Sequence, residues 1–436
     1  MPPRSAADYD VVLRGGRIVD GSGAPAFVAD LGLRGDRIAA LGDLSGSRGV
    51  QEVDCSGLVV APGFINVLSW AVDSLLVDGR ALSDLRQGVT LEVFGEGWSM
   101  GPLTEAMVAE QLSLQGDLRY EIPWRTLGGY LEHLEARGVV PNVASFVGAT
   151  TVRMFVLDQD DRPPTPAELV RMQELVATAM EEGALGVGSS LIYAPAFYAG
   201  TDELIALMQT AARYGGRYIT HMRSEGNRLL EALDEVERIV RAAGCGAEIY
   251  HLKAAGRANW PKMDQVIARV DALRAEGLDL TADMYTYTAG ATGLDASMPP
   301  WVQEGGYEAW AERMQDPAVR ARVVAEMRAE SDDWENLLLA AGSSDKVLLV
   351  SFKNDALKPY TGKSLAEVAA LRGTTPEETA IDLVIEDGSR VGTVYFLMSE
   401  DNVERQLALP WVSLGSDAGG DAPEGVFLKS NPHPRT

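Results

Sequence analysis

Short apolar runs recur along the chain, and the stretches between them carry apolar residues at helical spacing. GFINVLS, VTLEVFG, NVASFVGAT, GALGVGSS, RYITHM, AEIYHL, LDLTADMY and WVSLGSD are eight such runs, in that order. Near-continuous apolar runs of this length are how strands buried on both faces read. The intervening PAELVRMQELVATAMEEGA, TDELIALMQTAARYGG and RLLEALDEVERIVRAAG are amphipathic. Each ends at or near glycine, which closes helices in the left-handed conformation. Strands that alternate with helices predict a parallel sheet, and eight of them are what a TIM-like (β/α)8 barrel requires.

Ahead of the barrel, DVVLRGGRIVD, ADLGLRGDRIAALG and GLVVAPG are short β-rich runs punctuated by Gly and Asp. They predict an α/β protein in two parts: 1–61 as the N-terminal part of a small β-sandwich domain and 62–436 as the barrel. The alternation breaks at PPWVQEGGYEAW and ARVVAEMRAESDDWENLLLAAG. That break predicts a cap inserted at about 289–345, beyond the seventh strand. KVLLVSF and GTVYFLMS compete for places in the strand count.

Composition narrows the function classes. With 436 residues, 46% of them apolar, the chain can bury a large core. A formal charge of -25 argues against a nucleic-acid partner. There is no run of about 18 apolar residues and no leader-like apolar segment at the start, so neither membrane spanning nor secretion is expected. Cys55 and Cys245 form no CxxC pair, which fits a reducing, cytoplasmic setting. No glycine-rich phosphate loop of the form GxxxxGK[ST] is present.

Barrel enzymes carry their chemistry at the C-terminal ends of strands, so polar residues that close apolar runs are the candidates. His221 closes RYITH, His251 closes AEIYH and Asp417 closes WVSLGSD. This N,N,O set on three strands facing one mouth suits a divalent metal. Of the other two histidines, His133 reads as a helix residue in LEHLEARG and His433 lies in the terminal NPHPRT.

Several longer motifs then join in order: APGFI, GVTLEVFGEGWSMGP, SSLIYAPAFYAGTDEL, THMRSEG, EIYHLKAAG, DMYTYTAG, LGSDAGGDAP and NPHPRT. Together they resemble the N-acyl-D-amino-acid deacylase family of the amidohydrolase superfamily over nearly the whole chain. The resemblance implies a metal-dependent hydrolase acting on N-acyl-D-amino acids or related small amides. By it, His221 and His251 fall on metal-ligand positions and Asp417 on the aspartate that activates water. Lys253, Tyr193, Tyr285 and Arg435 fall on positions lining the substrate site, where Arg435 would hold the substrate carboxylate.

The departures are specific. Where the superfamily has His-x-His after its first strand, this chain has Leu68 and Trp70, and Asn66 replaces the preceding Asp. Leu68 and Trp70 are expected to form apolar wall at the pocket floor, leaving room for one metal rather than two. Glu96 in GEGWS is the nearest group able to complete a His, His, Glu site for a single zinc or other divalent ion. Its plainer reading is a turn residue between glycines. The fourth run and its exit, GALGVGSSLIY, offer no lysine, which weighs against the carboxylated-lysine branch of the superfamily. The chain ends 19 residues after Asp417, so a fragment or a shortened member is expected, with a sheet edge left open in the N-terminal unit. The alternative to an enzyme is a metal-poor relative that keeps the pocket as a binding or regulatory module.

Overall fold

The computed structural model describes residues 7–429 and divides the chain into two compact units, 1–64 and 65–436. The first unit is a five-stranded sheet. Tyr9–Ile18 pairs antiparallel with Phe27–Arg34, which pairs in turn with Arg37–Gly42. On its other side Tyr9–Ile18 runs parallel to Gly49–Asp54 and to Val59–Val60. Arg14 anchors this sheet through Asp30 at 3.2 Å and Glu52 at 3.0 Å. The outer strands keep Ile38 and Val50 exposed at 67% and 79%.

In the second unit all eight apolar runs are barrel strands. They are Phe64–Asn66, Val89–Phe94, Asn142–Ser145 with its continuation Val147–Gly148, Gly186–Ser190, Arg217–His221, Ala247–Ile249, Leu280–Met284 and Val412–Leu414. Neighbours from the second strand on pair in parallel register, and a parallel bridge from Ser69 to Ala418 closes the ring.

The helices between the strands form for local reasons. Pro166–Glu181 starts at a reciprocal cap between Thr165 and Glu168, with Pro at its first position. Leu229–Ala243 buries Leu229, Leu233, Val236 and Val240 and stops at Gly244, which sits at φ 66. Among the described residues no helix is long and apolar enough to cross a membrane.

The chain between the seventh and eighth strands is longer than the 289–345 cap read from the sequence. KVLLVSF and GTVYFLMS supply Val347–Ser351 and Gly392–Phe396, which are not barrel strands. They pair antiparallel with each other, and Gly392–Phe396 also pairs with Ala289–Gly293, in a separate three-stranded sheet. The helices Gly306–Arg313, Pro317–Arg328, Leu365–Arg372 and Pro376–Asp387 join this segment to a second core around Trp310, Val323, Val368, Val384 and Tyr395.

Leu68 fills the barrel interior, 1% exposed, against Val93, Phe146, Ile219 and Tyr250. It is apolar core beneath the site, as its type suggests, and not the wall of the cavity that was expected. Leu68→Ala should destabilise the protein by about 2–5 kcal/mol, because the closed ring of strands cannot collapse onto the void. Urea unfolding of the variant beside the wild type measures this.

Candidate metal centre

Glu96, His221 and His251 meet at the C-terminal ends of the second, fifth and sixth strands. Glu96 Oε1 lies 3.2 Å from His221 Nδ1 and 3.0 Å from His251 Nε2, and the two ring nitrogens are 3.1 Å apart. All three side chains are buried. The flanking glycines explain how a glutamate reaches this point. Gly95, at φ 108, would bring a Cβ within 2.5 Å of the Phe146 carbonyl. Gly97, at φ 73, would place one 2.6 Å from the Ser190 Cβ. Only residues without side chains let the turn pass this close to the third and fourth strands.

Two site residues carry unusual backbone. His251 sits at φ 34 and Asp417 at φ 48, a left-handed region that costs a non-glycine residue energy unless its surroundings hold it there. His251 N–H is held by Asp283 Oδ1 at 2.8 Å, and Asp417 N–H by the Leu68 carbonyl at 2.8 Å.

Glu225 is the residue that sequence reading missed. Its Oε1 lies 3.0 Å from His251 Nδ1 and its Oε2 3.4 Å from His221 Nε2, the outer nitrogens of both rings. The 3.4 Å contact is electrostatic, since His221 Nε2 has no aligned hydrogen bond. Lys253 Nζ caps the same carboxylate at 2.7 and 2.8 Å and lies 2.7 Å from His251 Nδ1. A carboxylate four residues beyond a strand-end histidine was the available signal.

The electrostatics of the cluster follow from this packing. Burial opposes ionisation of Glu96 and Glu225, but His251 beside the first and His221 and Lys253 beside the second hold both well below the usual carboxylate range. Burial pushes His221 down and keeps it neutral. Burial and Lys253 also oppose charge on His251, yet Glu225 and Glu96 outweigh them and push it up to about 10. The two ionised carboxylates are balanced by Lys253 and His251, so a cation at the inner point would take the place of the His251 proton. The distances of 3.0–3.2 Å among the inner atoms approach the edge of about 3.3 Å of a tetrahedral ion with bonds near 2.0 Å. The donor set therefore fits one borderline divalent ion.

Trp70 is not the apolar wall expected. It is 37% exposed, and its indole N–H donates to Glu96 Oε2 at 3.0 Å and to Asp417 Oδ1 at 3.1 Å. The ring is apolar but its edge carries a donor, and the end of the first strand aims that edge at the two carboxylates.

Around the cluster opens a cavity of about 830 Å³. Tyr193 sets its ring edge on His221 at 5.5 Å, and burial and Glu96 push its phenol up, so it stays a neutral donor. Tyr285 is buried against His251 at 6.2 Å and lies under Lys253 Nζ at 5.8 Å. The long insertion contributes Thr292, Phe352 and Arg390 to the same wall, and Arg390 lies over the Tyr193 ring at 5.1 Å. Asp417, Lys253, Tyr193 and Tyr285 thus share one cavity with the triad. Arg435 and His433 lie outside the described residues.

No protein-family model matches the chain. A D-aminoacylase of Alcaligenes xylosoxydans xylosoxydans is 32% identical over 442 residues, covering 100% of this chain and 78% of the relative. A solved D-aminoacylase structure, described as defining a novel subset of amidohydrolases, matches with a TM-score of 0.76 at 32% identity, over 98% of this chain and 78% of the other. An N-acyl-D-glutamate deacylase from Bordetella bronchiseptica, solved with zinc and a phosphonate mimic of the tetrahedral intermediate, also matches with a TM-score of 0.76. It is 28% identical over the same shares, 98% and 78%.

Proposed function

The chain belongs to the D-aminoacylase family of amidohydrolases, and from that membership and the buried Glu96–His221–His251 triad we propose that it is a zinc-dependent deacylase of N-acyl-D-amino acids. The observation that carries the reading is the convergence of Glu96 Oε1, His221 Nδ1 and His251 Nε2 on one buried point beneath the cavity. Those three residues would hold one divalent ion, for which zinc, present in the related N-acyl-D-glutamate deacylase, is the natural candidate. When bound, the metal supplies the Lewis acidity that polarises an amide carbonyl.

The protein's own groups do the rest. Glu225 faces the outer nitrogens of both imidazoles, which would leave the inner nitrogens to ligate once a metal ion displaces the proton held on His251. Asp417, joined to Glu96 through Trp70, accepts a proton from water on a carboxylate oxygen and passes it to the departing amine. Lys253 spends its three N–H groups on Glu225 and His251, so of the two donors expected at the carbonyl oxygen the neutral phenol of Tyr193 is the one that would steady it as negative charge develops. Arg435 keeps the role of gripping the substrate carboxylate as part of this proposal.

A metal-poor binding or regulatory module is not favoured, because Glu96, His221 and His251 together offer three ligands to one ion without the histidines missing at positions 68 and 70. A panel of N-acetyl-D- and L-amino acids, assayed with zinc supplied, tests the function. Hydrolysis of D-substrates is expected, with L-substrates poor or inert. A full panel without turnover would reject the deacylase reading.

A further inference from the structure

In this site the Trp70 indole N–H lies where two carboxylates from different strands approach one another. Glu96 divides its oxygens: Oε1 faces the two imidazoles, and Oε2 accepts from Trp70 at 3.0 Å. Asp417 Oδ1 accepts from the same N–H at 3.1 Å. Two carboxylate oxygens drawn to one point need a bridging cation or a shared donor between them. The indole N–H is a donor and never an acceptor, so a cation cannot share that point while Trp70 holds it.

The backbone fixes the arrangement from both sides. Trp70 N–H donates to the Ala418 carbonyl at 2.9 Å, and Asp417 N–H donates to the Leu68 carbonyl at 2.8 Å, so the first and last barrel strands carry donor and acceptor in register. Asp417 turns through φ 48 shortly after the eighth strand, and its side-chain direction depends on what meets its carboxylate.

We propose that Trp70 is the positioning residue of this active site: its indole N–H takes the place of a second cation between Glu96 and Asp417 and holds the Asp417 carboxylate in its working orientation, and its ring, which offers no ligand, limits the centre to one metal ion. The inference rests on the reading of the triad as a metal site and of Asp417 as the base. Trp70 offers no ligand to the metal point and acts through the two acids.

Zinc titration of the chelator-stripped full chain tests it, with the metal content of wild type, Trp70→Phe and Trp70→His measured after removal of free ion. Wild type and Trp70→Phe should each hold about one equivalent, whereas Trp70→His, which offers an imidazole beside Glu96 Oε2 and Asp417 Oδ1, should hold about two. In steady-state assays Trp70→Phe keeps an aromatic ring but loses the donor. Its kcat should fall about ten- to a hundredfold with KM within about twofold of wild type, the split expected when a charge-assisted hydrogen bond that orients a base is removed. Thermal melts establish that both variants are folded.

One equivalent in Trp70→His, or a kcat in Trp70→Phe within about threefold of wild type, would overturn the inference while leaving the metal site standing. No zinc uptake by the wild type would overturn the metal reading and this inference together.

Discussion

His251→Ala should release the metal and reduce amide hydrolysis to background. His251 carries more of the cluster than any other side chain: Nε2 faces Glu96 and His221, Nδ1 faces Glu225 and Lys253, and its backbone is held at φ 34 by Asp283. Loss of a partner behind a metal ligand typically costs about 10- to 100-fold in affinity, and loss of one of three ligands costs more. Truncation also leaves the buried carboxylates of Glu96 and Glu225 each without one of its partners, which is costly in a dry site. Dialysis against metal-free buffer followed by elemental analysis reads the first effect and a D-substrate assay the second. A variant that retained a full equivalent of zinc would remove His251 from the ligand set.

Asp417→Asn should separate metal binding from turnover. The amide keeps the shape of the side chain, and its oxygen can still accept from the Trp70 N–H, so the junction to Glu96 survives. What is lost is the basic oxygen. General base catalysis typically contributes about 100- to 10,000-fold, and kcat should fall by that range with zinc content unchanged and KM altered little. Loss of zinc from this variant, or near-normal kcat, would take the base role away from Asp417.

The barrel was legible because parallel strands are buried on both faces. RYITH and AEIYH read as largely apolar runs closed by a histidine, and His221 and His251 lie at or just beyond the ends of the strands those runs form. The same look misled for KVLLVSF and GTVYFLMS. Each pairs within a separate sheet whose strands lie far apart in the chain, and nothing local distinguishes an antiparallel strand of such a sheet from a barrel strand. Glu96 was legible as a ligand candidate as the nearest ligating group after the second strand, while its position between glycines read as a plain turn. Its convergence with the histidines depends on the close passage of Gly95 and Gly97 against neighbouring strands. Glu225 escaped because it sits in a loop, where apolar periodicity gives no direction to a side chain. Trp70 was read by its bulk, whereas its effect in the site comes from a single N–H whose aim is set by the pairing of the first and last strands.

The zinc content of the full chain, stripped with chelator and then saturated and freed of excess ion, tests the central claim most directly. The arrangement of Glu96, His221 and His251 predicts about one tightly held equivalent per chain, and hydrolysis of N-acyl-D-amino acids that appears and disappears with it. A protein that holds no zinc under these conditions, with its fold intact by circular dichroism, would contradict the account.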